Sequence, residues 1–120
     1  MSGWQHHNMT KYLISFPSEA LLVTSEDFER ASTDSRAVIE DAKAAGVYVF
    51  GGGINEAAAP VRITADGTAD LELYPGSRLT GGFTVLELPS RDDAVAWAAR
   101  IAKACGCAQE LREFMYDPAS

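Results

Sequence analysis

The chain has 120 residues, 47% of them hydrophobic and 22% charged, which suits one globular domain with a real core and leaves no room for two. Its formal charge of -7, with the 10 Lys and Arg residues scattered as singletons, excludes a duplex-binding or anionic-membrane surface, because both need clustered cations. No apolar run nears the ~20 residues of a membrane-spanning helix.

Residues 1–9 read as a flexible leader with no basic flank and no apolar h-region, and Met9 offers an alternative start. The leader holds His6 and His7, the only histidines, so both read as tail residues rather than as ligands or bases. The domain proper spans residues 10–117, and a cytoplasmic, bacterial-type protein is expected.

Residues 11–16 form the first predicted strand, ended by Pro17. The connection 18–24 still carries Leu21, Leu22 and Val23, so part of it should pack. Ser25 is the expected N-cap of a helix with Glu26, Asp27 and Glu29 at its positive end. Phe28, Ala31, Ser35, Val38, Ile39 and Ala42 recur at helical spacing as one core-facing stripe, and Gly46 stops the helix.

A second strand, 47–50, is expected to break at Gly51-Gly52-Gly53, read as a bulge or loop because no phosphate-binding Lys-Ser/Thr follows. Asp66-Gly67 between runs 60–64 and 71–74 signals a hairpin. The stretch 79–88 is the predicted central strand, with Phe83, Val85 and Glu87 on one face and Thr84, Leu86 and Leu88 on the other. Gly81 and Gly82 ahead of it suit close backbone packing. Ser90 and Asp93 approximate a capping box. Ala94, Trp97, Ala98, Ile101, Ala102 and Cys105 then give a second helical stripe, Gly106 ends it, and 111–116 is the last strand.

Without the hairpin this order is βαββαβ, the ferredoxin-like plan: an α+β fold with an antiparallel sheet and two helices on one face. The other face, bearing residues such as Phe83 and Val85, has no cover in the chain, so sheet-on-sheet packing of a homodimer is expected.

Chemistry is sparse. No nucleophile elbow, HExxH or CxxC pair occurs, and without an interior histidine no Ser-His-Asp arrangement can be assembled. Cys105 and Cys107 stand one residue apart, too close for an unstrained bridge and too few for zinc, so they read as reduced thiols. No metal and no cofactor is expected. Polar groups on or beside strands remain: Arg62, Glu72, Tyr74, Arg78 and Glu87. Arg62 and Glu72 read as a solvated cross-strand pair. Glu87, on a face with Phe83 and Val85, is the carboxylate with a plausible partly buried site, paired with Arg62 or Arg78 as a structural bridge or an acid–base site.

Lys11-Tyr12-Leu13-Ile14, Ala44-Ala45-Gly46-Val47-Tyr48-Val49, the Asp66-Gly67 hairpin, the run Gly81-Gly82-Phe83-Thr84-Val85-Leu86-Glu87-Leu88 and Asp93-Ala94-Val95-Ala96-Trp97-Ala98-Ala99-Arg100 together resemble the YCII-related proteins, particularly their longer DGPF-type branch. The resemblance covers nearly all of residues 10–116 and implies a dimeric α/β barrel of ferredoxin-like protomers. It also implies kinship with dehalogenating or isomerising enzymes of chloroaromatic breakdown. Short members carry a His–Asp pair in a cleft; spacing back from Gly46 puts Ser35 at the histidine position, so the family's presumed acid–base histidine is absent. Leu73-Tyr74-Pro75-Gly76 stands in place of the DGPF motif.

The leading expectation is a dimeric small-molecule-binding protein whose cleft lies between the sheet and the first helix. Its binding residues are Ser35, Tyr48, Arg62, Tyr74 and Arg78, beside Glu87. The alternative is a lyase, isomerase or dehalogenase acting on a small carboxylate, with Glu87 as base, Arg78 or Arg62 as clamp and Tyr74 as donor. A third reading, an accessory or regulatory partner, follows only from family members associated with sigma factors. Enzyme and binding protein stay open at this level.

Overall fold

The computed structural model describes residues 9–21 and 24–120; the leader with His6 and His7, and Leu22 and Val23 of the first connection, lie outside the described residues. In chain order the elements are β1 (Thr10–Phe16), a 3-10 turn (Ser18–Ala20), α1 (Ser25–Ala44), β2 (Tyr48–Gly53), β3 (Arg62–Ile63), β4 (Ala69–Asp70), β5 (Gly82–Leu88), α2 (Arg91–Cys105) and β6 (Glu110–Glu113).

Alternation in β1 turns Tyr12 and Ile14 toward the helices and Leu13 away from them, as the period of two requires. Pro17, with no N–H to donate to a ladder, follows the strand, and its carbonyl accepts from Ala20 N at 3.0 Å to open the 3-10 turn. The main sheet has the order β2-β5-β1-β6 and is antiparallel throughout, with β5 in the interior as its two apolar faces predict. The molecule is α+β, two helices on a four-stranded antiparallel sheet, consistent with a ferredoxin-like plan. The β3–β4 hairpin forms a separate two-stranded ribbon, inserted between β2 and β5.

The core is one cluster: Tyr12, Ile14, Leu86 and Leu88 from the sheet meet Ala42 of α1 and Ala94, Ala98, Ile101 and Cys105 of α2. Alanines at Ala94 and Ala98 let α2 lie close to the sheet. Gly106 closes α2 in the left-handed conformation, φ 74°, with its N–H on Ala102 O. At the end of α1, Gly46 N donates to Lys43 O and Val47 N to Ala42 O, a Schellman pair that needs the positive φ of 75° at Gly46.

Several details depart from expectation, among them the last strand, which spans Glu110–Glu113 and not 111–116. The N-cap of α1 is Thr24, not Ser25: Thr24 is extended and its hydroxyl accepts from Asp27 N at 3.2 Å. The glycine run 51–53 is not a break. It continues β2 and pairs Gly51 with Thr84, Gly52 with Phe83 and Gly53 with Gly82, while the irregularity falls earlier, between Tyr48 and Phe50. The hairpin is only two residues a side, and its second strand is Ala69–Asp70 rather than 71–74; Leu71 is exposed. Of the α1 stripe only Ala42 is fully buried. The corner of the sheet facing the first turns of α1 contains Gly52, Gly53, Gly81 and Gly82, and the facing pair Gly53 and Gly82 has no side chains to fill the gap.

Candidate functional site

That gap is a hollow of about 610 Å3. Phe28, Ala31, Ser35 and Ile39 of α1 form one wall, and Phe16, Ile54 and the glycine corner another. Ile101 and Cys105 of α2 also line it. The cleft therefore has a sequence origin. Apolar residues at helical spacing face a stretch of sheet that presents backbone instead of side chains.

Gly81 keeps this corner tight. Its φ is +77°, and a Cβ there would stand 2.0 Å from Phe16 O and under 3 Å from the Pro17 and Ser18 backbone. Its carbonyl accepts from Ile54 N at 2.8 Å, which ties the segment after β2 to the start of β5. The Gly81-Gly82 pair thus serves backbone approach, as the sequence suggests.

The polar groups of the cleft are few. Ser35 Oγ donates to Ser32 O at 3.2 Å. Burial, followed by the nearby Cys107, raises the Cys105 pKa, and the neighbouring Ser35 hydroxyl opposes that rise in part. Burial likewise raises Cys107. Both cysteines are free. Ser18 Oγ donates to Glu56 Oε1 at 3.1 Å at the edge of the cleft. Gln109 and Thr84 add further hydrogen-bonding capacity to the lining.

Of the residues singled out in the sequence, only Ser35 lines this cleft. Tyr48 lies nearby on the helix side, packed against the core with Lys43 over its ring at 5.3 Å. Arg62 pairs with Asp70 at 3.2 Å and stacks over Tyr74 at 5.7 Å, so Asp70, not Glu72, is its cross-strand partner. Arg62 Nε is buried without a hydrogen-bond partner, while Tyr74 is 72% exposed. Arg78 pairs with Glu19 and lines a separate hollow of about 290 Å3 with Leu13 and Phe83.

Glu87 meets neither arginine. Register puts Lys11 directly opposite it, and the two form a 3.7 Å ion pair. They line a third hollow, about 370 Å3, with Val85, Phe114 and Met115. The carboxylate, the two arginines and the tyrosine therefore do not converge on one point. Facing pairs on paired strands decide their partners, and those partners are local.

Sequence reasoning missed Phe28, Ile54, Glu56, Cys105 and Gln109 as cleft residues. The signal that could have found them is the pairing of two glycine runs, 51–53 and 81–82, opposite an apolar helix stripe. Among the described residues no group of His, Cys, Asp and Glu is arranged to hold a metal ion, and no helix is long and apolar enough to cross a membrane. No family model matches the sequence, and neither does any curated protein.

Proposed function

We propose that the protein binds a small, largely apolar molecule in the cleft between α1 and the glycine corner of the sheet. The observation that carries this reading is the cleft itself. About 610 Å3 lies within the range of small-ligand sites, and its walls are mostly apolar with a few polar groups, the usual composition of such sites. The reading agrees with the expectation drawn from the YCII-related resemblance, as does the serine at position 35. A hydroxyl there orients a ligand but does not exchange protons near neutral pH as a histidine would. Binding is therefore better supported than lyase, isomerase or dehalogenase chemistry. The dispersed placement of Glu87, Arg62, Arg78 and Tyr74 points the same way.

The proposal includes a homodimer built sheet on sheet, as in a dimeric α/β barrel. Its support is the face opposite the helices. There Leu13, Val85 and Phe50 form a cross-strand row, and Phe50 is 64% exposed.

The test is ligand detection by two-dimensional NMR with a small-fragment collection, on the wild type and on Ala31→Phe and Ser35→Leu, each of which narrows the cleft. Fragments are expected to shift resonances of Phe28, Ser35, Ile54 and Cys105, and both variants are expected to abolish those shifts while retaining the wild-type circular dichroism. Shifts confined to the other hollows, or unaltered in both folded variants, would sink the reading.

A further inference from the structure

The charge of the cleft narrows what it can hold. Among the described residues lining it there is one ionisable carboxylate, Glu56, and no lysine, arginine or histidine. The arginines nearest in interest are engaged elsewhere: Arg78 with Glu19, Arg62 with Asp70. The whole chain carries -7, so its long-range field adds to the local one rather than opposing it. An anionic ligand entering here would give up hydration and meet a carboxylate with no cation to offset it.

Glu56 is set to receive a cation. Ser18 Oγ donates to its Oε1 at 3.1 Å, which orients the carboxylate at the cleft edge and leaves Oε2 without a donor among the described residues. Because Glu56 is exposed, an ammonium seated on it keeps part of its hydration while the attached apolar body goes inside. Phe16 and Phe28 stand on the cleft walls, and aromatic rings attract cations.

We infer that the ligand is an apolar molecule bearing a protonated amine, with the body against Phe28, Ile39 and Ile101 and the ammonium on Glu56. This rests on the cleft being the ligand site, and it departs from the small carboxylate of the alternative enzyme reading.

Three probes of matched size separate the cases: 2-phenylethylamine, 2-phenylethanol and 3-phenylpropanoate, titrated by NMR into the full chain. The amine is expected to bind about threefold to tenfold more tightly than the alcohol, as one charge-assisted hydrogen bond at a partly solvated site allows, and the carboxylate more weakly than both. Glu56→Gln, an exposed and isosteric change, is expected to bring the amine level with the alcohol and leave the alcohol unchanged. Equal binding of amine and carboxylate, or an amine preference that survives Glu56→Gln, would overturn the charge inference while leaving the cleft as a binding site. No binding of any probe, or probe binding insensitive to Ala31→Phe, would overturn the cleft reading as well.

Discussion

At the scale of single residues, the two glycine runs behave differently although they face each other. A Cβ at Gly81 would meet only backbone, with Phe16 O at 2.0 Å, and φ there is positive, so nothing flexible can yield. At Gly82 the obstacle is the edge of the Phe16 ring at 2.8 Å, which can swing aside. At Gly53 the nearest atom is Gly81 O at 3.6 Å, ordinary contact. Gly81→Ala is expected to cost about 3 kcal/mol or more, near the top of the usual range for one substitution, Gly82→Ala less, and Gly53→Ala close to nothing. Urea unfolding of the three variants measures the order, and any other order would refute the steric account.

Asp66 offers a second residue-scale prediction. The Thr64 hydroxyl and then the Thr68 backbone N–H and side chain hold its carboxylate, so its pKa falls from 3.8 to about 2. A depressed folded value means the contribution to stability is complete above the unfolded pKa and disappears as pH falls from about 4 through about 2. Asp66→Asn is expected to flatten that part of the acid-unfolding curve. Carboxyl NMR giving Asp66 an ordinary titration would dismiss the effect. Asp66-Gly67 was legible as a turn because Asp and Gly carry turn chemistry in their own structures.

Elements show why some of the fold could be read from the chain and some could not. The stripe on α2 was legible because Ala94, Ala98, Ile101 and Cys105 meet a solid sheet, so helical periodicity translated directly into burial. The same periodicity on α1 gave a cleft wall, because what faces a helix depends on residues far away in sequence. Likewise Gly51-Gly52-Gly53 has poor strand propensity, yet pairing with β5 holds it extended. Helix starts are a nearer miss. Thr24 and Ser25 are both capping residues, and only the backbone, extended at Thr24 with ψ 165°, decides between them. Thr24→Ala should therefore destabilise by about 1 kcal/mol through the lost Asp27 N–H acceptor, and Ser25→Ala by clearly less. Thermal unfolding of the pair distinguishes the two caps, and a larger loss at Ser25 would restore it as the cap.

For the whole molecule, what the sequence conveyed best was the imbalance between the two faces of the sheet. Tyr12, Ile14, Leu86 and Leu88 vanish beneath the helices. On the other face β5 offers Phe83, Val85 and Glu87, and among the described residues loops and the C-terminal segment approach them, leaving hollows of about 370 and 290 Å3. Placement of the candidate charged residues was not legible, because strand register assigns Glu87 to Lys11 and not to an arginine. That ion pair flanks the apolar row Leu13, Val85 and Phe50 and would mark its polar rim in a two-fold interface. Phe50 is the place to test this. At 64% exposure it contributes little to the protomer's own core, so a charge there costs little unless a second copy covers it. Phe50→Asp is expected to turn a dimer into a monomer in sedimentation velocity at micromolar concentration, with unchanged circular dichroism and an unfolding midpoint that loses its dependence on protein concentration. A wild type that sediments only as monomer, or a variant that stays dimeric, would remove the sheet-on-sheet assembly.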